Sequence, residues 1–281
     1  MEFSLKAPAK INLFLKVKGR RPDGRHELIT VMQPLDLADT LFISDKADEL
    51  GLTCSDASLA NPDNLVLKAS RAWFEASGLP PRAKFHLGKN IPVAAGLGGG
   101  SSDAAAALLG LNALHGGLLP ADRLLALARG LGSDVAFFLG GITSVCRGAG
   151  EVVEPWPDFP LLPYVLINPN FPVSTAWVYR QFDLQWTNAK KQTRMDNSHR
   201  GFRSWEAVLV NDLEAVTFTA YPLLKEIKQR LLSTGAVGAL MSGSGPTLFG
   251  IFAGEDEAAE AARALAKEGK WWVRACCGVG A

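Results

Sequence analysis

Residues 91–105 read Ile-Pro-Val-Ala-Ala-Gly-Leu-Gly-Gly-Gly-Ser-Ser-Asp-Ala-Ala, which sets four glycines and two serines directly ahead of an alanine-rich helical run. Glycines at 96, 98, 99 and 100 let a backbone adopt positive φ and come close to a ligand, and the first turn of a helix offers N–H groups to an anion. The chemistry this suits is the cradling of a polyphosphate. A Walker A loop would end in Gly-Lys-Ser/Thr, but Gly100 is followed by Ser101 and Ser102. A dinucleotide fingerprint fits poorly, because the third small position after Gly96 and Gly98 falls on Ser101 and Pro92 interrupts the approach. A plain serine-capped turn would not need four glycines within five residues.

Two further segments carry reactive or close-packing residue types: Pro8-Ala9-Lys10-Ile11-Asn12, and Gly238-Ala239-Leu240-Met241-Ser242-Gly243-Ser244-Gly245-Pro246-Thr247. Taken alone, Lys10 reads as a solvated lysine on a strand edge, and 242–245 as a tight turn or a ligand loop. Asp134, behind Gly132-Ser133 and ahead of apolar Val135 to Leu139, reads as a helix N-cap or as a carboxylate in a half-buried cleft.

The elements that must hold these groups are visible as patterns. Ile11, Leu13, Leu15 and Val17 alternate along a half-buried strand whose polar side carries Lys10 and Asn12, followed by a turn over 19–24. Strands are expected near 28–36, 39–45 and 50–54. A helix starts after Asn61-Pro62-Asp63-Asn64, runs to Ser77 and stops at Gly78. Helices follow from the glycine loop to His115 and from Pro120 to about Gly132, then strands at 142–146 and 164–167. The proline-rich stretch between Pro155 and Pro163 is the expected domain junction, dividing the chain into 1–155 and 156–281. The last part reads as helices near 205–218 and 221–233, a strand, a glycine loop, a strand over 247–252, a helix and a final strand, making one α/β unit.

A chain of 281 residues with 48% apolar residues can bury a substantial core, and a net charge of +1 gives no general attraction to nucleic acid or anionic membrane. Any anionic ligand must be held by local groups. Cys54, Cys146, Cys276 and Cys277 lack metal-ligand spacing and read as reduced thiols. The opening Met-Glu-Phe-Ser-Leu-Lys holds no signal-length apolar stretch and no segment approaches a spanning helix, so the expectation is a cytoplasmic protein. Residues 187–203 hold five basic side chains against one acidic and read as a solvated loop or as a lid over an anionic substrate.

The three segments, in this order and at these separations, resemble the GHMP kinase superfamily along essentially the whole chain. Within it, the chain is similar to the branch that phosphorylates a methylerythritol alcohol bearing cytidine diphosphate. The similarity is carried by P-A-K-I-N-L-F-L at 8–15, G-R-R-P-D-G at 19–24 with H-E-L at 26–28, P-D-N-L-V at 62–66, A-G-L-G-G-G-S-S-D-A-A at 95–105 and L-G-S-D-V-A-F-F-L at 131–139. The resemblance implies an α+β, two-domain GHMP kinase fold, with an N-terminal ribosomal-protein-like β-α domain, a C-terminal ferredoxin-like domain and the active site in the cleft. It implies transfer of the ATP γ-phosphoryl group to a 2-hydroxyl, with another small alcohol (homoserine, mevalonate or a sugar) as the alternative acceptor.

The same resemblance distributes roles. Asp134 would take the acceptor hydroxyl's proton, and Lys10 would pair with that carboxylate and stabilise the attacking oxygen. Asn64, Leu65 and Val66 would line the adenine pocket. Pro92, Ala95, Gly96, Leu97, Gly98, Gly99, Gly100, Ser101 and Ser102 would hold the ATP phosphates, with a serine hydroxyl touching Mg²⁺ and no metal ligand singled out. Asn12, His26, Thr175, Tyr179, Ser242, Gly243 and Ser244 would serve the cytidine-bearing substrate. The branch usually has tyrosine before its histidine where this chain has Arg25, whose planar guanidinium can stack on a base opposite Tyr179. Ala136 stands where the motif usually has proline. No nucleic acid or membrane partner is expected, and the chain is read as a monomer or weak homodimer.

Overall fold

The computed structural model describes residues 2–186 and 209–280, so the basic stretch 187–203 lies outside the described residues. Two long antiparallel strands, β1 (Glu2–Arg20) and β2 (His26–Ser44), form the backbone of the first half, paired from Glu2↔Ser44 to Arg20↔His26. The turn expected over 19–24 lies at 21–25, since β1 continues to Arg20, and the two strands expected at 28–36 and 39–45 are one. Register shifts between Pro8 and Lys10 and between Asn12 and Phe14 bracket the Lys10–Asn12 segment. Such irregularities re-aim side chains within a ladder. Here Lys10 and Asn12 are buried together with Ile11 and Leu13, so this segment has no solvated polar side.

β3 (Leu50–Cys54) pairs in parallel with β4 (Ala83–Gly88), which pairs antiparallel with β2; β5 (Ser144–Gly148) lies against another part of β2, and β6 (Val152–Pro155) against β5. Four helices pack with this sheet: α1 (Leu65–Ser77), α2 (Gly99–Leu114), α3 (Ala121–Leu131) and α4 (Ser133–Gly140). Local chemistry sets the ends of α1, since Asn64 Oδ1 accepts the Val66 N–H at 2.9 Å and Gly78 closes the helix at φ +72°. Along α2, Ala104 to Leu108 are all buried. A Cβ at Gly110 would come within 2.1 Å of Ile43 Cδ1, so the small residues let this helix press close to β2.

The second half is built on β7 (Pro163–Asn168), β9 (Gly238–Met241), β10 (Leu248–Ile251) and β11 (Trp272–Cys277), in the antiparallel order β11-β7-β10-β9. It carries α5 (Thr175–Trp186), α6 (Glu214–Ala220), α7 (Leu223–Ser233) and α8 (Glu255–Ala266). A short strand, β8 (Val210–Asn211), pairs in parallel with Phe14 and Leu15 of β1, so the described part of the helix expected over 205–218 begins with a strand and turns helical only at Glu214. β4, β6 and α5 lie outside the sequence-based expectation. One core cluster joins Ile11, Leu13, Val31 and Leu35 of the first sheet to Tyr164, Leu166, Phe249 and Ile251 of the second.

Candidate functional site

A cavity of about 660 Å³ is lined by residues from both halves. Its floor is the glycine loop. Ala94, Gly96 and Gly98 have φ of +52°, +78° and +72°, and Gly98 is the left-handed cap of α2. A Cβ at Gly96 would lie 2.3 Å from the Ser242 carbonyl oxygen, and one at Gly98 would lie 3.0 Å from both Lys10 Cγ and the Phe138 ring. Both glycines are therefore needed by neighbouring protein, as well as by any ligand above them. The loop is fastened on two sides: the Lys10 N–H donates to Leu97 O at 2.9 Å, and the Thr247 N–H to Ala95 O at 3.3 Å. Ser242 Oγ accepts the Asn12 N–H at 3.3 Å and donates to Gly96 O at 2.9 Å, which ties all three segments through one hydroxyl.

Against this loop stands an ion pair. Lys10 Nζ lies 3.5 Å from Asp134 Oδ2, with the lysine side chain 5% exposed and the carboxylate 34% exposed. Lys10 Nζ also donates to Asn12 Oδ1 at 2.6 Å, Asn12 Nδ2 to Thr30 Oγ1 at 2.8 Å, and Thr30 Oγ1 to Phe14 O at 2.6 Å. This chain of donors fixes the ammonium from behind. Asp134 sits in the first turn of α4 behind an extended Gly132, so it is not the helix N-cap. Burial and then the Asp134 charge raise the Tyr179 hydroxyl pKa well above its usual value, and the same causes push the Cys146 thiol up to about 12.

Asn64 and Leu65 line one side of the cavity, where the Asn64 amide also donates to Leu59 O at 2.8 Å. Beside them Lys89 bridges Asp39 and Asp103, the latter at 2.8 Å. On the other side Thr175, Tyr179, Gly243 and Ser244 line the wall, and Thr175 Oγ1 and Ser244 Oγ share a hydrogen bond at 2.8 Å. Asn211 Nδ2 holds the third loop by donating to Met241 O at 2.8 Å and Gly243 O at 2.7 Å.

Of the sequence-derived residues, Lys10, Asn12, Asn64, Leu65, Pro92, Ala95, Gly96, Gly98, Gly99, Gly100, Ser101, Asp134, Thr175, Tyr179, Gly243 and Ser244 meet at this cavity. Val66, Leu97, Ser102 and Ser242 are buried behind it and support it from within. Arg25 does not line the cavity. Its guanidinium is 51% exposed and turned to Asp23 Oδ2 at 2.9 Å, away from the cavity wall. The partner on Tyr179 is the His26 ring itself, stacked at 4.6 Å between centroids, while His26 Nε2 contacts Asp183 Oδ1 at 2.6 Å.

The lining residues that sequence reasoning passed over include Leu15, Leu28, Thr30, Lys89, Asp103, Val173 and Ser174. Leu15 and Thr30 sat in recognised strand runs, and Asp103 in the quoted motif, but nothing in the spacing marked them as wall residues. Among the described residues no three His, Cys, Asp or Glu side chains gather into a metal cage, and no helix is long and apolar enough to cross a membrane.

The family model for the GHMP kinases N terminal domain matches residues 64–141, and that for the GHMP kinases C terminal matches 195–270. The chain is 46% identical over 278 residues to a 4-diphosphocytidyl-2-C-methyl-D-erythritol kinase of Geobacter metallireducens, covering 96% of each chain. It is 43% identical to the enzyme of that name from Pelobacter propionicus, covering 97% of each. Among solved structures it is similar to a 4-(cytidine 5'-diphospho)-2C-methyl-D-erythritol kinase at 38% identity and TM-score 0.83, covering 99% of this chain and 100% of that one. A homoserine kinase from Cytophaga hutchinsonii matches in fold, at TM-score 0.72 and 19% identity, over 99% of this chain and 94% of that one.

Proposed function

The chain belongs to the GHMP kinases and, within them, to the 4-diphosphocytidyl-2-C-methyl-D-erythritol kinases, and from that membership we propose how its cavity works. The enzyme transfers the γ-phosphoryl group of ATP to the 2-hydroxyl of 4-diphosphocytidyl-2-C-methyl-D-erythritol, giving the 2-phosphate and ADP, in the non-mevalonate route to isoprenoid precursors. An acceptor such as homoserine or mevalonate is not favoured, since the kinases for those alcohols resemble this chain at 16% to 22% identity against 38% for the cytidine-substrate enzyme.

The observation that carries the mechanism is the Lys10–Asp134 pair facing the glycine loop at 3.5 Å. Asp134 accepts the acceptor hydroxyl's proton as the phosphoryl group moves. Lys10, held by Asn12, stabilises the negative charge on the attacking oxygen. Phosphoryl transfer asks little covalent chemistry of a protein, so the fixed N–H groups around Gly98 to Ser102 supply much of the catalysis by positioning the phosphates and offsetting their charge. Asn64 and Leu65 take the adenine side, and Tyr179, Thr175 and the 243–244 backbone take the cytidine-bearing substrate.

The donor set fits Mg²⁺ arriving with ATP. Asp134 would offer its carboxylate oxygen not paired with Lys10 and Ser101 would offer a hydroxyl, while the buried Ser102 Oγ has no hydrogen-bond partner. Magnesium keeps several waters and needs one or two carboxylates beside substrate phosphates. Bound there, it would neutralise phosphate charge. We extend the proposal to a division of the chain into domains at 1–155 and 156–281, to a cytoplasmic location and to a monomer or weak homodimer.

The test is coupled ADP release with purified protein, ATP and Mg²⁺, offering the cytidine substrate beside mevalonate and homoserine. Turnover on the cytidine substrate alone is expected. Turnover on another alcohol would reassign the acceptor wall around Tyr179.

A further inference from the structure

The two ends of the glycine loop are joined by a buried bridge that the phosphoryl-transfer roles above do not use. Asp39, fully buried on β2, accepts the backbone N–H groups of Asn90 at 2.5 Å and Ile91 at 2.9 Å, which fixes the chain where it leaves β4. Its other oxygen binds Lys89 Nζ, which reaches across to Asp103 Oδ2 at 2.8 Å in the first turn of α2. Lys89 and Asp103 are 10% and 4% exposed in their side chains. One ammonium thus spans fourteen residues of sequence, from the start of the loop to the helix it feeds. Between these anchors lie Ala94, Gly96 and Gly98 at positive φ, a left-handed backbone that surrounding contacts must hold in place. Asp103 Oδ1 has no hydrogen-bond partner, while Asp103 Oδ2 accepts the Lys89 ammonium and the Asp39 carboxyl stands beside it.

We infer that Asp103 and Asp39 are positioning residues for the phosphoryl donor, acting through Lys89 to hold the glycine loop at the span that aligns its N–H groups on the ATP phosphates. The inference rests on the kinase reading of the cavity. It concerns donor binding, because Lys89 stands beside Gly99 and Leu65 beside Gly100, at the helix end of the glycine loop.

Charge makes the test practicable. Two carboxylates share one ammonium, so Asp103→Ala leaves a matched Lys89–Asp39 pair and no stranded charge, and the fold should survive. Asp103→Asn keeps an acceptor for Lys89. In the alanine variant the KM for ATP should rise about tenfold or more and ADP affinity by calorimetry should fall in parallel, since small misplacements of an anchored group are costly. kcat at saturating ATP and the KM for the cytidine substrate should stay within about threefold of wild type, as expected when only donor binding is lost. Asp103→Asn should recover ADP affinity to within about threefold, a partition that general loosening of the fold would not give.

An unchanged KM for ATP and unchanged ADP affinity in folded Asp103→Ala would overturn the inference, as would an asparagine variant as impaired as the alanine one. Should the alanine variant fail to fold, Asp103→Ser, too short to reach Lys89, is read in the same way. Failure of the kinase reading would look different: wild-type protein would release no ADP with the cytidine substrate, whatever the variants do.

Discussion

The ammonium of Lys10 on β1 stands 3.5 Å from the carboxylate of Asp134 in the first turn of α4. The two come from segments more than a hundred residues apart, and Asn12 holds the ammonium in place at 2.6 Å. Because the carboxylate is a third exposed, its removal should leave the fold intact, whereas a general base contributes about 10²–10⁴ in rate. Asp134→Ala is therefore expected to lose kcat on that scale while still folding, with a lower melting temperature because the buried Lys10 ammonium loses its carboxylate partner. Steady-state kinetics at saturating substrates, beside a melting curve, check this. A variant with wild-type kcat would remove Asp134 from proton transfer.

Ser242 offers a stability test with a functional consequence. It is fully buried, takes the Asn12 N–H and donates to Gly96 O. Alanine would leave both backbone groups buried without that partner, at a cost of about 1–3 kcal/mol. Ser242→Ala should lower the unfolding free energy by that amount, read as a lower urea midpoint with the denaturant slope preserved, and should raise both substrate KM values, because the hydroxyl aligns the donor loop with the acceptor strand. An unmoved midpoint would mean that water replaces the hydroxyl.

Two glycines of the loop should respond in opposite ways. At Gly96, φ is +78° and a Cβ would collide with the backbone oxygens of Ser242 at 2.3 Å and Gly245 at 3.0 Å. At Gly100 a Cβ would meet only Leu65 Cδ1 at 3.5 Å, an ordinary contact. Gly96→Ala should lose most ADP release and melt lower, by at least the 1–2 kcal/mol or so that left-handed backbone costs an L residue. Gly100→Ala should fold as well as wild type or better, since alanine favours a helix by about 0.5–1 kcal/mol. Equal tolerance at both positions would show that the loop relaxes freely.

These contrasts mark where the fold was legible in the chain. Asn64 and Gly78 bounded α1 correctly because capping is chemistry between near neighbours. The glycine loop announced itself by composition. β1 and β2 read as fragments because their register shifts, at positions such as Pro8/Lys10, break the alternation that identifies a strand. β4 was readable and was missed, since buried Ala83, Phe85 and Leu87 alternate with exposed Lys84 and His86. The Asp39–Lys89–Asp103 bridge and the Asn211 clamp had no local signal: their partners lie 14 to 50 residues away and meet only when the sheets assemble.

The bridge also predicts a pH dependence. Burial, reinforced by Asp39 and opposed by Lys89, pushes the Asp103 carboxyl up to about 7 from an ordinary value near 3.8. Between those values the folded protein keeps a proton that the unfolded chain has released. The contribution is complete below the unfolded value and is lost as pH rises through the folded one. Asp103→Asn removes this titration, so its stability relative to wild type should increase between pH 5 and pH 8. Urea unfolding of both proteins at the two pH values measures the difference. A constant gap would remove the titration from Asp103, while the hydrogen bonds of the bridge would stand.

The acceptor wall separates Arg25 from Tyr179. Position 25 precedes His26, where a stacking side chain is expected from the pattern, yet the guanidinium is directed to Asp23 through Nε at 3.1 Å and Nη2 at 2.9 Å. Tyr179 lines the cavity and already carries a ring, His26, at 4.6 Å. A cytosine stacking on Tyr179 must take the place of His26 or lie on the ring's other face, while Arg25 is engaged with Asp23. Base stacking on an aromatic side chain is worth about 1–3 kcal/mol, so Tyr179→Ala should raise the KM for the cytidine substrate by roughly 5- to 100-fold. Arg25→Ala should change it by less than about threefold, the scale of an exposed ion pair. If the arginine variant were as impaired as the tyrosine one, the guanidinium would have to swing from Asp23 onto the base when substrate binds, and Asp23→Ala would then lower the KM by freeing it.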